Sequence, residues 1–455
     1  MLKLNAMLTP LIDPRNTKRF RILDGRMNMT ITEKNNAKLT PLVGCFSWIR
    51  KKEIGMTANI ADLRRLIVFP LIALGILKAS FVYAADAVPE LSVEFEFKKK
   101  ELSVMGASAA PTKDGGFVLA GELYDVSGPN TWGWLAKVSS KGNKEWQREL
   151  GKQAKNSSFH ASVTTMNGDV VLAGSVHGSY GQFGSASAWL VKVNETGKVL
   201  WDKAIVIGQI ARAVDVKLVE KDKILVLVTN SEGSEGSKKF ISILKFDLTG
   251  NEIFRKKISI AESVFGKFIY PTSGGGFVVV GTKFSPPKFK NDVWIARFDE
   301  HATLLWDQAL SDEQSDVSAG MILPDDEILL ARRKGRGPLD TQLSLVKVGN
   351  SGNSVWNKKV SLPDVCGISA LWTSLNGKLF ASGANCDKTK ARVWIGEMLE
   401  NGSLTVLKRL VSVNGTDVVT VVPLDQKIAV VLEGRADSGD SVTRLLVGSY
   451  EEIKK

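Results

Sequence analysis

The sequence predicts an all-β fold: a seven-bladed β-propeller of four-stranded antiparallel blades, closed by N-terminal strand pairing in the last blade. Three observations carry that prediction. A motif recurs along the chain, first as GGFVLAG (115–121), WLAKV (134–138) and GNKEWQREL (142–150), then as NGDVVLAG (167–174), WLVKV (189–193) and GKVLWDKAI (197–205). Aligned on the first Trp, seven units stand at Trp134, Trp189, Ser242, Trp294, Ser344, Trp394 and Arg444, in steps of 55, 53, 52, 50, 50 and 50 residues. Such a period, built from short strand-like runs, belongs to a propeller and not to a helical solenoid. Finally, the seventh unit runs out at Lys455 after three strand-like runs, and the stretch 91–102 supplies a fourth.

Each unit divides into strands a to d. Strand a is loosely apolar, as in ISALWTS (368–374). Asp114-Gly115, Asn167-Gly168, Asp325-Asp326 or Asn376-Gly377 follows, dipeptides suited to the positive φ of a two-residue hairpin turn. Strand b is the GFVLAG-type run, whose last Gly or Ala permits close backbone approach. Strand c, the WLxKV-type run, is apolar on both faces, as a strand sandwiched between blades must be. A turn at Gly142, Gly197, Gly250, Gly352 or Gly402 leads to strand d, which begins near Trp146, Trp201, Phe254, Trp306 or Trp356. In the last unit, 418–422, 428–434 and 442–450 give strands a, b and c. LSVEFEFKKKEL (91–102) alternates apolar and charged residues and is expected to be the missing outer strand, leaving no unpaired inner edge. Eight of the eleven tryptophans fall on the two repeat positions. An indole there buries a large area once per blade, which assigns these eight to packing and not to a sugar platform. Trp372 and Tyr270 fall on a strands, where packing is expected and channel lining is the alternative.

Charge is unevenly distributed. Residues 1–84 hold 14 of the 60 Lys and Arg and five of the 48 Asp and Glu, so most of the formal +12 sits there. The near-neutral body excludes a general electrostatic footprint for nucleic acid. From Met56, MTANIADLRR ends in Arg64-Arg65, the apolar run LIVFPLIALGIL (66–77) follows, and Val82-Tyr83-Ala84 supplies small residues for cleavage after Ala84. This is the layout of a secretory signal, and the run is shorter than the about 20 apolar residues of a spanning helix. An uncleaved anchor over 66–85 is the alternative. Residues 1–55 carry neither a hydrophobic period nor a repeat. The expected organisation is therefore an over-extended or disordered N-terminus (1–55), a signal peptide (56–84) and a periplasmic or secreted propeller (85–455).

The units resemble the repeats of secreted bacterial propellers, GG-F-V-L-A-G followed by W-L-x-K-x-D-x-x-G-N-x-x-W. They are also similar to the repeats of quinoprotein-like (PQQ-like) propellers. Thr196-Gly197-Lys198 with Trp201 is the best match to the latter, and Thr249-Gly250-Asn251 a partial one. The resemblance spans nearly all of 91–450 and implies the fold. In quinoprotein dehydrogenases it would imply pyrroloquinoline quinone and calcium. No run here matches those cofactor-binding residues, so neither cofactor nor metal is carried over. The outer-membrane assembly propeller shares such repeats but resembles a lipoprotein, and no lipid-accepting Cys follows Ala84.

Three groups of side chains remain as candidates. Cys366 and Cys386 stand ten residues before Asn376 and nine after Gly377, nearly opposite in a hairpin, where Cβ atoms come about 4.5–5.5 Å apart. A disulfide is expected in an oxidising compartment, with two free buried thiols as the alternative. His160 and His177 are placed near the d–a and b–c connections of the second unit, as exposed loop residues. Without an assigned carboxylate partner they form a poor metal or catalytic set. Lys283, Lys288 and Lys290, with Arg332, Arg333, Lys334 and Arg336, are expected on the b–c loops of blades four and five. Seven cations on one face suit an anionic polymer, a phospholipid head group or an acidic protein surface. The alternative is a solvated face, partly cancelled by Asp312, Glu313 and Asp316. No catalytic residue is assigned. The expected function is an extracytoplasmic binding or scaffold propeller that recognises a protein or anionic ligand through loops on one face. A periplasmic enzyme, quinoprotein-like oxidoreductase or glycan hydrolase or lyase, is the rival.

Overall fold

The computed structural model describes residues 93–97, 102–125, 130–151, 156–177, 185–232, 238–258, 260, 263–285, 290–310, 315–335, 341–362, 365–374, 376–384, 392–411, 417–424, 427–435 and 441–449. The expected N-terminal segment and signal peptide lie outside the described residues. Among those described, every regular element is a β-strand.

The chain opens on β1 (Val93–Phe97). Unit one is β2 (Leu102–Pro111), β3 (Phe117–Asp125), β4 (Thr131–Val138) and β5 (Lys144–Leu150). Unit two is β6 (Asn156–Thr164), β7 (Val170–His177), β8 (Ala186–Val193) and β9 (Val199–Ile205). Unit three is β10 (Ile210–Val219), β11 (Lys223–Glu232), β12 (Lys238–Asp247) and β13 (Glu252–Ile258). Unit four is β14 (Ser263–Pro271), β15 (Phe277–Ser285), β16 (Lys290–Phe298) and β17 (Leu304–Leu310). Unit five is β18 (Ser315–Ile322), β19 (Ile328–Lys334), β20 (Gln342–Val348) and β21 (Ser354–Val360). Unit six is β22 (Ala370–Thr373), β23 (Leu379–Ala384), β24 (Arg392–Met398) and β25 (Leu404–Val411), and the chain closes with β26 (Asp417–Leu424), β27 (Lys427–Arg435) and β28 (Ser441–Ser449).

β1 pairs antiparallel with β28, Val93 opposite Val447 and Phe97 opposite Thr443. The stretch expected to complete the last sheet does so. First strands of successive units pack on one another from β2 through β26, and β26 packs back on β2. The result is a propeller arrangement with the a strands innermost. Separate blades number four, not seven. β14–β17, β18–β21, β22–β25 and β26–β28 with β1 are four-stranded sheets, whereas β2–β13 form one twelve-stranded sheet. Two single parallel bridges make it continuous, Thr131 to Asn156 and Ile210 to Ala186. Side chains reinforce the first: Asn156 Oδ1 accepts from Thr131 N (3.2 Å) and Ser157 Oγ from Gly133 N (3.1 Å).

The a–b turns are one residue longer than expected. Thr112 N donates to Gly116 O and Gly115 N to Thr112 O. The loop thus has three residues, of which Gly115 takes the positive φ that completes the turn.

Three repeated devices hold the units. Gly121, Gly174, Gly281 and Gly383 on strand b face Trp134, Trp189, Trp294 and Trp394 on strand c. A Cβ at Gly174 would lie 1.9 Å from the Ser158 carbonyl oxygen, so a side chain is excluded there. Where strand b does carry a side chain, strand c gives up the indole: Val228 faces Ser242, Arg332 faces Ser344 and Leu432 faces Arg444. All four inner indoles are buried, each corresponding to about 5 kcal/mol of transfer free energy for ~200 Å² of area. The outer indoles dock on the next unit's c–d turn. Nε1 of Trp146, Trp201 and Trp306 donates to the carbonyls of Glu195 (2.8 Å), Leu248 (3.1 Å) and Asn350 (2.8 Å). The third device is an ion pair between strand c and an a–b turn: Lys137–Asp114 (2.6 Å), Lys192–Asp169 (2.9 Å), Arg297–Asp326 (3.2 Å), and Lys245–Glu220 and Lys347–Glu327. Unit six inverts the polarity, with Lys378 against Glu397 at 2.6 Å.

Candidate functional site

Strand a bulges opposite the strand-b glycine position. The inserted residue is Ala107, His160, Val214, Lys267, Ser318 or Val419 in the six units where the shift occurs within the strand. A bulge re-aims the side chains beside it, and in two units the bulged residue is titratable.

In unit two that residue is His160. Its Nε2 lies 3.3 Å from Ser158 Oγ and 3.4 Å from Ser175 Oγ, and the two hydroxyls are 3.3 Å apart. Burial pushes the imidazole down to about 4, and the Arg212 guanidinium on β10 and the neighbouring His177 push the same way. His177, at the end of β7, is lowered by burial and by Arg212. The two histidines are strand residues and not exposed loop residues. The β6–β7 ladder extends to Asn156 opposite His177, past the expected connections.

In unit four the bulged residue is Lys267. Its Nζ donates to the Val317 carbonyl of unit five and lies 3.7 Å from Asp316 Oδ2. Asp316 Oδ1 accepts from Thr282 Oγ1 at 3.2 Å. Between them, in unit three, Asp215 accepts from Lys217 Nζ (2.8 Å) and from Ile269 N (2.9 Å), tying β10 to β14. Burial and this carboxylate hold the Tyr270 phenol well above its ordinary range. Tyr270 and Trp372 are buried in the packing between units. Glu122, on β3, is pushed up by burial.

The expected basic residues are divided. Lys283 lies on β15 opposite Asp292, and Lys290 is the first residue of β16. Arg333 and Lys334 end β19 opposite Leu343 and Gln342. Arg333 is exposed and Lys334 half-buried. Arg332 is not a loop residue: it is 5% exposed inside β19, at the place units one, two, four and six give to the strand-b glycine. The physical reason is that strand b does not stop at that glycine. It runs on to Asp125, His177 and Ser285 in units one, two and four. Lys288 and Arg336 lie outside the described residues. Cys366 lies just ahead of β22 in unit six. Its backbone N donates to Ala384 O at 3.2 Å, two residues short of Cys386, which lies outside the described residues.

Thr196-Gly197-Lys198 has a structural task. Asn194 Oδ1 accepts from Thr196 N (3.1 Å), Thr196 Oγ1 (2.9 Å) and Lys198 N (2.9 Å), and Gly197 seats the Trp146 ring. The motif is therefore a turn and a docking point, serving the fold. A cleft of about 550 Å³ opens between units five and six at the turn end, with Trp356, Lys347, Lys378, Glu397 and Glu400 in its lining. Among the described residues no group of three His, Cys, Asp or Glu side chains could hold a metal ion.

Arg212 and Lys267 escaped the sequence reading. For Lys267 a signal was present: the bulged residue stands fourteen positions ahead of the strand-b glycine, as 160 is to 174 and 267 to 281, whereas Arg212, two residues before the bulge at Val214, carried none.

No family model and no curated protein matches the chain. Solved structures do. The polysaccharide lyase Uly1 superposes with a TM-score of 0.52 at 12% identity, over 76% of this chain and 90% of that one. The chain is a β-propeller. Puromycin hydrolase gives a TM-score of 0.49 at 14% identity, over 73% of this chain and 50% of its own. A protein of unknown function from Dyadobacter fermentans DSM 18053 gives 0.45 at 12%, over 78% and 98%. At 12% identity the likeness to the lyase shows the fold and nothing narrower.

Proposed function

We propose that this propeller is an extracytoplasmic binding or scaffold protein of seven blades that recognises an anionic ligand, or an acidic protein surface, through one face. The seven-blade reading draws on the seven successive a strands and takes the twelve-stranded sheet as three blades joined by single bridges. Residues 56–84 would be the export signal and 85–455 the periplasmic or secreted body. Cys366 would pair with Cys386, a bond suited to an oxidising compartment. The outer Trp docking and Asx turns account for the quinoprotein-like motif without a quinone.

The observation that carries the binding reading is the placement of Lys283, Lys290, Arg333 and Lys334. They sit at the ends of strands b and c beside the b–c connections of two adjacent units. Cations anchored on strands cost less to order on binding than cations on free loops. The test is retention on an immobilised sulfated polysaccharide, comparing wild type with Lys283→Ala, Arg333→Ala, Lys334→Ala combined. Arg332 is left intact because it is buried. Elution of the triple variant at clearly lower salt is expected. Identical elution, or no retention of wild type, would overturn the proposal.

A second reading, an enzyme acting on a glycan, is favoured by one observation: a neutral imidazole, His160, in contact with two hydroxyls near an arginine. Incubation with acidic polysaccharides, monitoring new reducing ends and unsaturated uronate absorbance, separates the two readings.

A further inference from the structure

We propose that the inner strands of units two and three form a binding site for a small oxyanion, carboxylate or phosphate. Arg212 would hold it, and His160, His177, Ser158 and Ser175 would receive it. The site is independent of the cationic face above and shares no residue with it.

The charges motivate this site. The other cations along the inner strands of units three and four have acids: Lys217 lies 2.8 Å from Asp215, and Lys267 lies 3.7 Å from Asp316. Arg212 is exposed and, among the described residues, has no hydrogen-bond or ion-pair partner. The groups acting on His160 are Arg212 of β10 and His177 of β7. The group acting on His177 is Arg212. β10 packs on β6 and β7, so three groups that can each carry positive charge meet where two adjacent units pack, and no described carboxylate is among the groups acting on the two histidines. Ser158 and Ser175 add hydroxyl donors within 3.4 Å of the His160 ring. An oxyanion accepts from all of these donor types at once, and its charge favours the protonated imidazoles. Binding would therefore be coupled to proton uptake by His160 or His177.

The chain contains three histidines, so imidazole NMR of the full-length protein reports the site directly. His301 serves as the internal reference, since its side chain is 79% exposed on a turn beside Glu300. Inorganic phosphate and galacturonate are titrated separately, up to about 20 mM, a range that detects even millimolar affinity. Expected are shifts of the His160 and His177 signals at concentrations that leave His301 unmoved, with their titration midpoints raised. Whichever probe acts at the lower concentration identifies the oxyanion source. Arg212→Gln, an exposed substitution, should weaken the effect at least tenfold. Unmoved His160 and His177 signals with both probes would overturn the proposal, as would equal shifts in Arg212→Gln. If that variant does not fold, the wild-type titration decides alone. Loss of the cationic-face activity in the triple alanine variant leaves this result unaffected.

Discussion

Replacing Gly197 by Ala probes the docking of one unit's outer indole on the next. Gly197 has φ +76°, and a Cβ there would lie 3.0 Å from the Trp146 ring. A left-handed backbone costs an L-residue about 1 kcal/mol. The close approach also forces the indole to give way, weakening the 2.8 Å bond from Trp146 Nε1 to Glu195 O, which contributes about another 1 kcal/mol. The expected loss is thus about 2 kcal/mol, or more if the ring cannot move. Gly377 is the matched control. Its φ is +77° and no atom lies within 4 Å of the position a Cβ would take, so Gly377→Ala keeps only the backbone cost of about 1 kcal/mol. Urea unfolding followed by tryptophan fluorescence gives both values. The decisive quantity is their difference, expected at about 1 kcal/mol or above. Combining Gly197→Ala with Trp146→Phe should recover part of the loss, a coupling of about 0.5 kcal/mol or more. Equal losses for Gly197→Ala and Gly377→Ala would refute the docking argument.

Further outcomes follow from the geometry. Lys192 and Asp169 are 2.9 Å apart with side chains 8% and 11% exposed, so Asp169→Asn leaves a buried ammonium with the Leu248 carbonyl but without its counter-charge and should cost about 3 kcal/mol in urea unfolding. Asp222→Asn, at a carboxylate 70% exposed and 3.6 Å from Lys223, should change stability by less than about 0.5 kcal/mol. His160 titrates at about 4 in the fold against an ordinary 6.5. The unfolded chain therefore binds more protons between those values, and stability falls as pH drops through them, by up to roughly 3 kcal/mol, then levels off. His160→Gln should flatten that part of the stability–pH curve, and an unchanged slope would contradict the assignment. Ser344→Trp places an indole against Arg332 and should destabilise by at least about 2 kcal/mol. Adding Arg332→Gly should restore most of the thermal midpoint, because it recreates the Gly–Trp pairing of unit four.

The repeat was legible because four of the seven units repeat the same physical solution. Gly174 with Trp189 and Gly281 with Trp294 are the same close approach filled by the same ring. The paired change at Arg332 and Ser344 is readable only once the register sets those residues opposite each other. Closure was legible from composition, since 91–102 alternates apolar and charged residues like an outer strand. Separation of the blades was not, because it turns on one bridge between Thr131 and Asn156 and another between Ile210 and Ala186. Burial of Arg332 was obscured by the expectation that a run of four basic residues beside Gly335 is a loop. The cluster around His160 was hidden for a related reason. A bulge shifts side-chain direction without changing composition, which hid His160, and Arg212 looked like an ordinary strand residue until β10 was packed on β6.

Closure of the ring is most directly tested by cysteine cross-linking across its seam. Glu94 and Leu446 are partners in the β1–β28 register, whereas Arg444 lies two residues further along, opposite Glu96. Under mild oxidation, Glu94→Cys with Leu446→Cys should cross-link within the monomer and raise the unfolding midpoint. Glu94→Cys with Arg444→Cys should cross-link far more slowly. Failure of the first pair to form, or equal yields from both, would mean that the two ends of the chain do not share a sheet.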